Sequence, residues 1–153
     1  MKCPVCGHDE RKKARSLPQH RRYFAIINAA YSQWPESYSD FQPRSSEHLR
    51  KWLQVEAGYG VGVDTTLSFP KSRHAEAKAF VQAIVDLVRI AYKEDIFPRI
   101  NRHTGQIRFY ASKSISFCEL PHLEACRLFD AVSEIVTAVI GVPAEKLLRE
   151  HAA

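Results

Sequence analysis

Apolar residues recur at helical spacing from Tyr23 through Phe24, Ile26, Ile27, Ala30 and Tyr31 to Trp34, which predicts an amphipathic helix. Its start is signalled by Ser16-Leu17-Pro18-Gln19, a capping-box form with a serine cap, a glutamine three residues on and a proline in the first turn. Pro35 ends the run, and residues 35–44, rich in proline and serine, read as a loop. Ser45 or Ser46 caps a second helix with Leu49, Trp52, Leu53 and Val55 on its buried stripe, closed by Gly58. Residues 59–69 then read as a strand or hairpin, with Val61, Val63 and Thr65 on one face.

Ser72 is expected to cap a long helix that turns Ala77, Phe80, Val81, Ile84, Val85, Val88 and Tyr92 inward. Short β pieces follow at 96–100, 106–110 and 114–118, with His103-Thr104-Gly105 as turn chemistry. Pro121 opens another helix bearing Leu123, Cys126, Phe129, Val132, Ile135, Val136 and Val139, stopped by Gly141, and Pro143 starts a last short one with Leu147 and Leu148. The order predicts an α+β fold: a single domain over residues 16–153, with a small, mainly antiparallel sheet packed by four to five helices. Residues 1–15 show no amphipathic period and read as an N-terminal appendage.

Composition narrows the class. Apolar residues are 45% and charged residues 25% of the chain, which excludes whole-chain disorder and collagen-like repeats. No apolar run approaches the roughly 18 residues of a membrane helix, and charge interrupts the first thirty residues where a secretory signal would be apolar. A cytoplasmic protein without a membrane partner is expected.

Charge is unevenly placed. Of 22 basic and 17 acidic residues, seven basic and two acidic lie within residues 1–22, so the remaining chain balances fifteen against fifteen and the whole +5 sits at the N-terminus. A basic arm on a neutral body favours a polyanion, most simply nucleic acid; the plainer reading is a solvated tail. Arg15, His20, Arg21 and Arg22 flank a helix start, where cations oppose the helix dipole unless an external anion joins them. Arg21 and Arg22 could equally do no more than solvate the helix's outer face. Together with Lys12 and Lys13 these residues are the candidate nucleic-acid contacts. Tyr31 and Trp34 continue the apolar stripe and read as core, whereas Tyr38 and Phe41, near Arg44, could either pack or stack on bases.

Four cysteines without a secretory signal are better read as metal ligands or redox groups than as a disulfide scaffold. Cys3-Pro4-Val5-Cys6-Gly7 has the form of one knuckle of a zinc site. A tetrahedral ion needs four ligands, and completion could come from His8, His20, Cys118 or Cys126. The other readings of Cys3 and Cys6 are a free dithiol and, least of all, a redox pair. Cys118 and Cys126 read as small buried residues within apolar pattern.

His20-Arg21-Arg22-Tyr23-Phe24-Ala25-Ile26-Ile27-Asn28, Trp34, Glu56-Ala57-Gly58-Tyr59, Lys113-Ser114-Ile115-Ser116-Phe117 and Phe129 resemble the landmarks of a phage- and prophage-encoded family, domain of unknown function 1367. The resemblance spans roughly residues 15–140, and its specificity lies in the shared order of short blocks. The run from Arg15 and Ser16 to Gln19, His20 and Arg21 is also similar to the opening helix of NinB-type phage recombination mediators, which implies single-stranded DNA as a ligand. The cysteine knuckle belongs to neither pattern. A phage origin places the protein in the host cytoplasm.

Enzyme signatures are sparse. There is no phosphate-cradling glycine loop, no His-Glu-x-x-His and no Gly-x-Ser-x-Gly. His74-Ala75-Glu76 and His122-Leu123-Glu124 have the His-x-Glu form of zinc deaminases without the Pro-Cys-x-x-Cys that follows it there. Asp64 with Glu76 and Lys78 is similar to a metal-dependent nuclease triad, although the Glu-x-Lys pair falls at a helix start. The expected function is therefore a non-enzymatic accessory protein of phage DNA metabolism that binds nucleic acid, with zinc held by Cys3 and Cys6. Its rivals are a module or inhibitor docking on a host or phage protein and, third, a metal-dependent nuclease.

Overall fold

The computed structural model describes residues 17–115 and 120–152. In chain order the elements are α1 (Leu17–Ser32), α2 (Ser46–Glu56), β1 (Gly60–Ser68), a single 3-10 turn (Lys71–Arg73), α3 (His74–Tyr92), β2 (Phe97–Ile100), β3 (Gln106–Ser112), α4 (His122–Ile140) and α5 (Ala144–Ala152). The three strands form one antiparallel sheet in the order β1-β3-β2. The fold is α+β, as the order of apolar periods predicts. No described helix is long and apolar enough to cross a membrane.

Local signals set the helix ends. Ser45 caps α2, its Oγ accepting the His48 backbone N–H at 3.1 Å, so one of the first-turn donors is satisfied. Gly58 and Gly141 stop α2 and α4 at positive φ, where a Cβ would be strained. Pro121 precedes α4 with an extended ψ, and its carbonyl accepts the Ala125 N–H at 2.9 Å. α3 starts later than its expected cap: Ser72 lies inside the 3-10 turn, and the helix begins at His74.

The strict alternation of β3 divides the interior in two. Ile107 and Phe109 face α3, joining Ala77, Val81 and Ile96 in a small cluster. Tyr110 and its partner Phe97 face the other way, onto the larger core of α1, α2, α4 and α5 built on Tyr23, Ile27, Leu49, Leu53, Leu128 and Val132. β1 is irregular: Gly62 pairs with Tyr110 and Thr66 with Arg108, so three residues of β1 bulge opposite one of β3. A strand over 114–118 is not formed at Ser114 and Ile115, and its remainder lies outside the described residues.

The burial expectations at Tyr31, Phe80 and Tyr92 are corrected. Tyr31 is exposed and spends its hydroxyl on the Arg44 carbonyl at 3.2 Å, because it stands at the edge of the buried stripe through Tyr23, Ile27 and Ala30. Phe80 and Tyr92 do not face inward but are 50% and 75% exposed, since the small sheet covers only one stripe of α3. Val61 and Val63 are exposed as well.

Candidate functional site

The start of α1 is the part of the expected nucleic-acid grip that the structure describes; Lys12, Lys13, Arg15, Cys3 and Cys6 lie outside the described residues. α1 has no acidic residue in its first turn to complement its positive end. His20 is half-buried, its ring 4.8 Å from that of Phe24 one turn on, so it faces its own helix more than solvent. Arg21 is exposed and makes no ion pair among the described residues, whereas Arg22 pairs with Glu145 on α5. Successive helical residues are about 100° apart, so the two arginines point to different sides of α1.

On Arg22's side lies a groove of about 670 Å³ between α1, α4 and α5. Among the described residues its lining carries Asp130, Glu134 and Glu145 against one cation, Arg22. That charge balance disfavours a polyanion on this side of α1. Tyr23 forms part of the groove wall, stacked on Phe129 with centroids 4.1 Å apart. Burial pushes the Tyr23 hydroxyl well above its ordinary pKa, so it remains protonated.

One end of the groove is bounded by Gln19 and Cys126. Gln19 Nε2 donates to Cys126 Sγ at 2.9 Å, and the same sulfur lies 3.5 Å from His122 Nε2. Cys126 is 1% exposed, as expected for a small core residue, but its sulfur makes polar contacts. His122 was legible only as part of a His-x-Glu pair. The relevant signal was the four-residue spacing from His122 to Cys126 at a helix start, which places both side chains on one face. Among the described residues, no group of three or more His, Cys, Asp or Glu side chains is gathered for a metal.

The loop aromatics are not a stacking platform for bases. Phe41 lies flat on Trp52, with centroids 4.5 Å apart and planes 2° apart, and its carbonyl accepts Trp34 Nε1–H at 3.0 Å. Tyr38 packs edge-on against Trp34 and Trp52. A segment without regular structure is thus held by three rings that close the main core.

The nuclease arrangement gains no geometric support. Glu76 is exposed in the first turn of α3 and paired to Arg73 at 2.6 Å, and Lys78 lies two residues along the helix, about 200° around its axis. The Asp64 side chain lies outside the described residues. The deaminase pairs His74–Glu76 and His122–Glu124 diverge for the same reason. A second surface was missed: Phe80, Leu87 and Ile90 form an apolar stripe along the outer side of α3, each at least half exposed. Comparison of the chain with family models, curated proteins and solved structures gives no match.

Proposed function

We propose that the chain is a non-enzymatic accessory protein of phage DNA metabolism that binds nucleic acid through its basic N-terminal segment and the start of α1. The observation that carries this reading is the confinement of the whole +5 net charge to residues 1–22 of an otherwise balanced chain. Arg21, exposed and without an ion pair among the described residues, stands in a helix start that has no acidic residue in its first turn, which supports it, because backbone N–H groups and guanidinium then favour the same anion. Lys12, Lys13, Arg15 and Arg21 contact phosphates in this reading, with His20 and Arg22 at the margin. Cys3 and Cys6 hold a zinc ion that orders the segment between them and α1. Phosphate contacts position without reading sequence, so binding with little sequence preference is expected.

A mobility-shift titration with single- and double-stranded oligonucleotides tests this at low and moderate salt. Retarded complexes that weaken steeply with salt are expected, and Arg21→Ala should reduce affinity. No shift with either oligonucleotide in dilute buffer would overturn the reading.

The apolar stripe on α3 favours a second reading, a module docking on a host or phage protein. Leu87→Asp with Ile90→Asp separates the two: oligonucleotide binding through the basic segment is indifferent to it, whereas protein docking through α3 is lost.

A further inference from the structure

We propose that the groove between α1, α4 and α5 binds a linear aliphatic polyamine, with Asp130, Glu134 and Glu145 as its carboxylate contacts. The inference goes beyond the nucleic-acid reading and does not depend on it. A volume of about 670 Å³ falls within the ~300–1,000 Å³ of small-molecule sites. The floor is apolar: Tyr23 and Phe129, stacked on each other, and Ile26 are all buried. The Tyr23 hydroxyl oxygen is sealed from solvent, so this residue offers the groove its ring and not its donor.

Along α4, the polar groups that line the groove between residues 130 and 137 are acceptors. Asp130 and Glu134 are carboxylates. Ser133 Oγ donates to the Phe129 carbonyl and Thr137 Oγ1 to the Ser133 carbonyl, each at 2.8 Å, which leaves lone pairs alone on both hydroxyls. A third carboxylate, Glu145, enters from the first turn of α5 and holds the guanidinium of Arg22. Three carboxylates against one guanidinium leave an excess of two negative charges. The ligand must therefore bring positive charge and N–H donors, together with an apolar stem for the floor.

The acid pair on α4 is also unlike the other helical acids. Glu47, Glu76, Asp86 and Glu150 each pair with a cation three or four residues away. Asp130 instead has Glu134 at i+4, an arrangement that disfavours a helix, and neither meets a cation among the described residues. Arg127, three residues before Asp130, is exposed and does not close onto it. The three carboxylates are not gathered tightly enough to hold a metal ion. Spacing points to a diamine unit: i and i+4 side chains stand ~5–6 Å apart at Cβ. Four methylenes hold two ammonium nitrogens about 6 Å apart, since three backbone bonds span up to ~3.6 Å. One ammonium per carboxylate then lays the methylenes over Phe129 and Ile26.

Calorimetric titration of the full-length chain with spermidine in low-salt buffer tests the site. One spermidine per chain is expected, with 1,4-butanediol, a stem without charge, giving no heat of binding. Magnesium, a point dication, should bind at least fivefold more weakly. Asp130→Asn and Glu134→Gln should each weaken spermidine about two- to fivefold, the range of an exposed ion pair. Glu76→Gln with Asp86→Asn changes net charge by the same amount as the double Asp130→Asn, Glu134→Gln variant but lies on α3, and should leave affinity within 1.5-fold. Ala138→Trp fills the groove without changing charge and should abolish binding; Asp130, Glu134 and Ala138 are exposed, so these variants keep the fold. No spermidine binding at millimolar ligand overturns the inference, as does equal weakening by the α3 variant or equal affinity for magnesium. Capture of a lysine-rich helical peptide in place of spermidine overturns it in favour of a protein partner. Because no oligonucleotide enters the titration, each of these failures leaves the nucleic-acid reading untouched.

Discussion

His48 shows how one side chain ties the fold to solution conditions. Its ring lies between Phe41 and Phe97, with centroids 4.9 and 5.5 Å away, and Nδ1 accepts the Arg44 backbone N–H at 3.2 Å. Burial first, then the Arg44 charge, lowers its pKa from 6.5 to about 4; Arg89 and Lys51 add to this and Asp95 opposes it. The unfolded chain therefore binds a proton at His48 in a range where the folded chain does not. The His48 contribution is complete above pH 6.5 and is lost as pH falls to about 4. Discounted for a half-solvated ring, the loss is about 1–2 kcal/mol. Urea unfolding at pH 7 and pH 4.5 should show it in the wild type and not in His48→Gln; equal pH dependence of the two proteins would remove His48 as the cause. Asp95 is separable, because hydrogen bonds from Arg44 and Lys51, outweighing burial, hold its carboxyl below its ordinary value, so its loss comes at lower pH. Gly105 makes the complementary steric case: at φ +71° a Cβ would stand 2.5 Å from the Phe69 carbonyl oxygen. Gly105→Ala should cost at least about 2 kcal/mol, against about 1–2 for Gly58→Ala, where no atom lies within 4 Å of the added carbon. Similar losses at the two positions would mean that the turn shifts to relieve the contact.

At the scale of elements, α3 separates what apolar periodicity reveals from what it leaves open. The period over 77–92 gives the helix, and Val81, 5% exposed, is on the side that meets Ile107 and Phe109. Leu87, 64% exposed, belongs to a second apolar stripe that a one-sided reading of the helix misses. Val81→Ala should cost about 1–3 kcal/mol through lost burial and residual cavity. Leu87→Asp should stay within about 0.5 kcal/mol of wild type in the same urea titration. A large loss for Leu87→Asp would show that its face is covered in solution. Capping signals were legible in α2 and α4 because they are local: Ser45, Gly58, Pro121 and Gly141 act through backbone groups within four residues. β1 was legible as extended but not in register, since its bulge between Gly62 and Thr66 depends on β3. The same limit applies to the sites. Residue types named Cys3, Cys6 and the cations, but the pairing of Arg22 with Glu145 and the approach of Gln19 to Cys126 join segments far apart in sequence.

For the whole molecule, the proposed binding rests on net positive charge confined to residues 1–22 of an otherwise balanced chain, and Glu145 competes with any anion for Arg22. If five cations, Lys12, Lys13, Arg15, Arg21 and Arg22, neutralise phosphates, log K falls with log salt at a slope of about −3.5 to −4.5. Arg21 is exposed and unpaired among the described residues, so Arg21→Ala should flatten the slope by about 0.7–0.9, the value of one phosphate. Arg22 must first leave Glu145, and both side chains are more than half exposed, at 53% and 58%. Such a pair is worth about 0–1 kcal/mol, so it taxes binding without forbidding it. Glu145→Gln removes the competitor together with one carboxylate of the acidic groove, and should tighten oligonucleotide binding about two- to fivefold at low salt. Arg22→Ala in the Glu145→Gln background should abolish that gain, which distinguishes release of the arginine from a general change in net charge. If Glu145→Gln and Arg22→Ala both leave affinity unchanged, Arg22 is committed to holding α1 against α5. The grip then reduces to Arg21 and the cations that precede α1, and the limiting slope falls to about −2.8 to −3.6.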